Sequence, residues 1–314
     1  MADARFYRKA LEDVGRGVFA WMQPDGSWGY SNAGLITDGD ECLLVDTLFD
    51  LALTREMLAA MRDATPAARL IDALVNTHAN GDHTFGNQLV KEARIIASRS
   101  SAEEMEEVTP AVLAGMMHMA DQMGSAGDYL KRIFGAFTFD GIDSTLPTHT
   151  FEGEMTHTVG DKPIQLIEVG PAHTRGDVIV HDPVDGVVFT GDILFIDGTP
   201  LMWEGPVENW IRACDRIIEL EPKVIVPGHG PLTDVAGVRG VQRYLAFIRD
   251  ESRVRFDAGL SAEEAIRDIA LDDFSSWLDS ERIVINVHTL YREFGSKEPT
   301  PDLPSLFSLM SELA

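Results

Sequence analysis

Residues 70–83, LIDALVNTHANGDH, decide how this chain is read. The aliphatic run LIDALVNT has the composition of a short buried strand. It leads directly into HANGDH, which gathers His78, Asn80, Asp82 and His83 at the end of that strand. Imidazoles and carboxylates presented together in this way suit a divalent transition metal, with zinc the default for such donors.

Working outward, the same device recurs three times. GPAHTRGD at 170–177 offers His173, FTGD at 189–192 offers Asp192, and VPGHGP at 226–231 offers His229. Each segment ends an apparent strand. Glycines at 81, 176, 191, 228 and 230 permit the tight backbone needed to aim these side chains into one cleft.

Further strands are expected at 17–22 and 30–37, joined by the turn-rich PDGSWG, and at 42–47, 93–98, 164–169, 178–181, 186–190 and 223–228. Helical spacing is read at 51–63, from about Ser101, and at 207–219, 232–252, 262–269 and 281–293. Such alternation predicts an α/β architecture. The pattern changes between 105 and 147, where two helices broken at GSAG carry Met105, Met116, Met117, Met119 and Met123. After Pro299 comes a proline-rich stretch. Leu303, Leu306, Phe307, Met310 and Leu313 then form one apolar face of a short helix.

Composition narrows the partners. The 26 basic and 51 acidic residues give a formal charge of −25, which repels phosphate backbones and anionic lipid surfaces. Neither nucleic acid nor a membrane is therefore expected as a partner, and a small-molecule substrate is. Cys42 and Cys214 lie in apolar stretches, lack a C-x-x-C pairing, and read as buried free thiols. The N-terminal stretch has no signal-like apolar core and no run is long enough to span a bilayer, so a cytoplasmic location is expected.

Taken in order, the H-x-N-x-D-H segment, the distant His173, Asp192 and the P-G-H-G segment resemble the metallo-β-lactamase superfamily of hydrolases, from about residue 17 to 250 and more weakly to 293. The resemblance implies an αββα sandwich with a helical lid insertion at about 105–147. It divides the chain into a hydrolase domain over 1–298, C-terminal helical extension included, and a tail over 299–314. It also implies a ligand set. His78 and His173 would hold a first metal, Asp82, His83 and His229 a second, and Asp192 would bridge them. Asp46, in LLVDT, matches a position that orients a metal-bound imidazole from behind.

Asn80 departs from the pattern, which has histidine there. An amide oxygen is a weaker and harder donor than imidazole, so the first site should hold zinc less tightly or favour a harder ion such as iron or manganese. Three readings stay open: a binuclear enzyme with Asn80 as ligand or neighbour, a mononuclear enzyme using Asp82, His83 and His229, and a non-catalytic metal-binding subunit of a hetero-oligomer.

The implied chemistry is hydrolysis by metal-bound hydroxide, with Asp82 and Asp192 as catalytic carboxylates. The expected substrate is small and fairly apolar: an ester, lactone, amide or activated aryl ether. An iron-dependent redox role is the further alternative. Trp28, Tyr30, His118, Phe195 and Trp203 are candidates to line the substrate pocket. A homo- or hetero-oligomer is expected, held through the tail or the 105–139 region, because a short apolar helix must dock on something.

Overall fold

The structure is a computed structural model and describes residues 7–299 and 301–314. Its centre is set by strands that are apolar on both sides. In β4 (Glu41–Val45), Leu43 and Val45 face one way and Cys42 and Leu44 the other, and all four are buried. In β5 (Ala73–Val75) every residue is buried. Strands of this kind need cover on both faces.

The two strands pair in parallel within a seven-stranded sheet. Its order follows the chain: β1 (Ala10–Gly15), β2 (Val18–Met22), β3 (Ala33–Asp38), β4, β5, β6 (Arg94–Ser98) and β7 (His149–Phe151). The second sheet comprises β8 (Glu154–Val159), β9 (Lys162–Glu168), β10 (Val178–Asp182), β11 (Val187–Phe189) and β12 (Val224–Val226), in the order β12-β11-β10-β9-β8.

Side-chain alternation builds the layers. Between the sheets, Ile36, Val45 and Val75 meet Leu166, Val180 and Phe189. On the outer face of the first sheet, Leu44 and Leu74 pack with Met57, Leu58 and Met61 of α1 (Leu51–Ala64). On the outer face of the second, Ile179, Val188 and Ile225 join α6 (Val207–Glu219) and α7 (Val235–Asp257). The result is the expected helix–sheet–sheet–helix sandwich.

Three strands were not anticipated. β1, β7 and β8 are largely polar or half-exposed, and β1 and β8 are the outermost strands of their sheets. Such segments lack the apolar pattern that marks a buried strand.

The remaining helices complete the covering of the sandwich. They are α2 (Gly81–Thr84), α3 (Arg99–Glu104), α4 (Pro110–Met119), α5 (Ser125–Phe134), α8 (Ala262–Asp268), α9 (Ile283–Glu293) and α10 (Leu303–Leu313). The methionine-rich region thus forms α4 and α5, separated by a turn at Gly124. In the tail, the Asp302 carboxylate caps α10 by accepting from Ser305 N (2.9 Å), while Leu306, Phe307 and Met310 are buried. Their partners are α5 and α9 of the same chain, so the apolar face for which a second subunit was expected is covered intramolecularly. Both cysteines are free and buried. Among the described residues, no helix is long and apolar enough to cross a membrane.

Candidate metal centre

The site is assembled from loops that leave the sandwich at one edge. β5 ends at Val75, and the chain then passes Thr77 and His78 into the single turn of α2, which carries Asp82 and His83. His173 lies between β9 and β10, Asp192 follows β11, and His229 follows β12. The loops are packed tightly enough to require glycine. A Cβ on Gly228 would lie 2.1 Å from Asp192 Oδ1, and Gly191 adopts a left-handed φ of 49°.

Four imidazoles converge with the same nitrogen inward. His78 Nδ1 faces Thr77 Oγ1 (3.1 Å), His83 Nδ1 faces Asp46 Oδ2 (2.9 Å), and His229 Nδ1 faces the Gly26 carbonyl (3.0 Å). His173 Nδ1 meets the Leu201 carbonyl. The carbonyls and the carboxylate only accept, and Thr77 Oγ1 already donates to Asp46 Oδ2 (2.7 Å), so each Nδ1 is a donor. Each Nε2 therefore presents a lone pair when the ring is neutral.

Those lone pairs surround Asp192. His83 Nε2 lies 3.1 Å from its Oδ1, while His173, His229 and His78 lie 3.3, 3.4 and 3.7 Å from its Oδ2. Asp82 Oδ2 is 3.3 Å from His229 Nε2. Two groups have ligand atoms all within 4.8 Å of one another: His78, His83 and Asp192, and Asp82, His83 and His229. His173 stands beside the first group rather than in it, its Nε2 2.7 Å from Asn80 Oδ1.

A divalent cation fits this arrangement. His78 Nε2, His83 Nε2 and Asp192 Oδ1 are buried with no hydrogen-bond partner, a costly state for polar atoms unless something binds them. The donor set is nitrogen and carboxylate oxygen, which zinc, iron and manganese all accept.

The electrostatics show the same compensation. Burial opposes ionisation of Asp192, but His229, His83 and His78 outweigh it and hold its carboxyl well below the usual range. Burial likewise opposes charge on His83, but Asp192 and Asp46 raise it well above an ordinary imidazole. His229 is pushed up to about 9, because Asp192 and Asp82 overcome its burial. Burial, aided by the neighbouring His83, lowers His78, and burial also lowers His173.

Asp46 is the organising residue behind the site. It is buried, takes a left-handed φ of 61°, and accepts from Thr77 N (2.7 Å) and Thr77 Oγ1 (2.7 Å) as well as facing His83. One carboxylate thus ties the strand end that carries His78 to the turn that carries His83.

Above the cluster opens a cavity of about 270 Å³, reached by Asn80, Asp82, His173, Asp192 and His229. Trp28, Phe195 and Trp203 line it. Phe195 stacks on the His229 ring at 5.0 Å, with the planes 3° apart. Two expected pocket residues are elsewhere. His118 is exposed on α4 and paired with Asp140 (3.0 Å). Tyr30 packs against Phe137 (5.0 Å) and borders a separate surface depression. Phe137 and Phe139 are core residues beside Phe49, and Phe134 alone of these three phenylalanines reaches the cavity. Arg175 is engaged by Glu107 (2.7 Å) and Glu104 (3.6 Å).

The structure adds Leu113, Arg282, Leu303 and Phe307 to the cavity wall. Arg282 is almost fully buried, bonded to Asp279 (2.9 Å) and to the Thr199 carbonyl (3.0 Å), with its guanidinium 4.5 Å from the Trp28 ring. In sequence it is one charged residue in a helical pattern. Only its spacing from Asp279 hints at a pairing.

Comparison with known proteins agrees with this geometry. The family model described as the metallo-β-lactamase superfamily matches residues 26–229. The chain is 24% identical over 235 residues to an acyl-coenzyme A thioesterase MBLAC2 of Homo sapiens, covering 70% of this chain and 80% of that protein. It is 26% identical over 154 residues to the hydroxyacylglutathione hydrolase of Maricaulis maris, covering 48% and 44%. Among solved structures, a metallo-β-lactamase from Pontibacter korlensis superposes with a TM-score of 0.55 at 18% identity, over 75% of this chain and 98% of that one. A double mutant of the sec-alkyl sulfatase PisA1 superposes with a TM-score of 0.68 at 16% identity, over 92% of this chain and 51% of that one. With the family model spanning most of the sandwich and all the clustered histidines, the chain belongs to the metallo-β-lactamase superfamily.

Proposed function

We propose that the protein is a metal-dependent hydrolase of small, fairly apolar molecules, with an ester, lactone, amide or activated aryl ether as the bond cleaved. The observation that carries this reading is the convergence of four Nε2 atoms and two carboxylates beside a cavity walled mainly by rings and aliphatic side chains. Zinc is the first choice of ion. When bound there, a divalent ion supplies an acidified water and polarises the substrate.

The chain's own groups do the rest. Asp192 anchors the centre between the histidines. Asp82, the most accessible of the carboxylates in the cluster, orients the attacking water by accepting from it. In ester hydrolysis the water oxygen bonds to the acyl carbon, the bond to the leaving oxygen breaks, and Asp82 passes the water's proton to that oxygen. Trp28, Phe195 and Trp203 keep bulk water from the reacting group, which strengthens every charge interaction inside.

Thioester cleavage, suggested by the relatives' names, shares this chemistry, but coenzyme A is a polyanion and the net charge here is −25. Arg282 is the one arginine or lysine among the described residues lining the cavity, and Asp279 already engages it. A compact uncharged substrate therefore suits the site better.

The test is a panel of 4-nitrophenyl esters, aryl lactones, 4-nitroanisole and acyl-coenzyme A thioesters, offered to zinc-loaded protein with and without chelator. Chelator-sensitive turnover of the uncharged compounds is expected. No turnover of any member, or turnover of the thioesters alone, overturns the reading.

A further inference from the structure

The tail helix does more than cover the core. Leu306 and Met310 dock it, but Leu303 and Phe307, four positions apart and so on one side of the helix, both line the cavity above the metal centre. A chain of ring contacts links the metal site to the tail helix. Phe195 lies on His229, the Arg282 guanidinium sits 5.4 Å from Phe195 and 4.5 Å from Trp28, Trp28 meets Tyr129 edge-on at 6.4 Å, and Tyr129 meets Phe307 at 5.7 Å. Phe307 thus lines the cavity while packing on the same ring cluster that reaches back to His229. Residues 303 and 307 also lie outside the stretch matched by the family model, which ends at 229. The metal-site residues and the tail's share of the cavity wall therefore come from different parts of the chain.

We propose that α10 is the substrate-selecting wall of the cavity: Leu303 and Phe307 contact the apolar group of the substrate and set its permitted size. This rests on the hydrolase reading above. The space of about 270 Å³ is roughly twice the ~150 Å³ in which an apolar protein cavity takes up benzene. The class selected is a substituted single ring or a compact branched acyl group, with the scissile bond at the metal end.

The experiment uses zinc-loaded protein and two ketone probes that have no ester, lactone, amide or ether bond, 4-fluoroacetophenone with one ring and 2-acetyl-6-fluoronaphthalene with two. Their dissociation constants are read by fluorine NMR. Leu303→Trp adds bulk to the wall and is expected to weaken the two-ring probe on the order of tenfold more than the one-ring probe. Phe307→Ala is expected to shift the ratio the other way. Met310→Ala is the control, since Met310 is buried in the same helix but is not part of the cavity wall. It should lower thermal stability and leave the ratio alone. The proposal is overturned if neither probe binds the wild type, if the ratio is unmoved in both Leu303→Trp and Phe307→Ala, or if Met310→Ala moves it equally. Shifted ratios in a protein with no chelator-sensitive turnover keep the selective wall and remove the catalytic reading instead.

Discussion

Asn80 Oδ1 lies 2.7 Å from His173 Nε2, while the other ring nitrogen of His173 is committed to the Leu201 carbonyl. An amide oxygen this close to an imidazole lone pair is stable when the amide is turned so that its NH₂ donates, or when the two move slightly apart to bind one cation beside them. Both arrangements put Asn80 at the edge of the first metal position. Replacing it with histidine supplies a stronger nitrogen donor. Asn80→His should raise zinc affinity about tenfold or more, measured by chelator competition. Turnover, followed in parallel, should fall, because the new ring occupies space that Asn80 leaves open in the cavity. Unaltered affinity would show that Asn80 takes no part in holding the ion.

Asp46 offers a test from behind the site. Its left-handed backbone is one that asparagine also tolerates, so Asp46→Asn changes the charge with little backbone strain. The Thr77 amide keeps an acceptor, but His83 loses the carboxylate that fixes its tautomer and raises its basicity. Metal affinity should drop roughly 10- to 100-fold with the fold retained, as judged by far-ultraviolet circular dichroism. Equal affinity in the variant would separate Asp46 from the metal centre.

Proton release gives a test without mutation. Without metal, His229 is pushed up to about 9 and His83 is raised well above the ordinary value, so both rings carry protons at pH 7. A ligating imidazole must be neutral, so metal uptake expels these protons. Apparent affinity should therefore rise with pH, and the protons released per ion should decline as pH approaches the His229 value. Calorimetric titration in buffers of different ionisation enthalpy counts them. Proton-neutral binding at pH 7 would contradict the placement of these histidines.

Much of the fold was legible because its centre is simple. CLLV and ALV are apolar on both faces, and their shortness favours a covered strand over a buried helix. The motif residues could be picked out because each follows or precedes such a strand, and their order along the chain was informative in itself. Polar strands were not legible: Glu154, Thr156 and Thr158 of β8 are exposed and carry no sign of the neighbour they pair with. His118 misled for a related reason. It lies five positions beyond Leu113, about 140° around the helix, so when Leu113 faces the cavity His118 faces away. The apolar face of the tail was visible in the sequence, but its partner was not, because a stripe of leucines does not say whether α5 or a second molecule will cover it. Arg282 gave least warning, since beyond the neighbouring Asp279 its burial depends on the Thr199 carbonyl and the Trp28 ring arriving from distant segments.

The central claim is that the buried histidines and carboxylates form a metal centre around Asp192. It is tested most directly by elemental mass spectrometry of the wild type and Asp192→Ala, both produced with excess zinc and freed of loosely bound ions. The wild type should carry one or two equivalents, and Asp192→Ala, with the carboxylate removed from between four imidazoles, should carry almost none while still folding. A wild type without metal, or an Asp192→Ala protein holding as much as the wild type, would contradict the account.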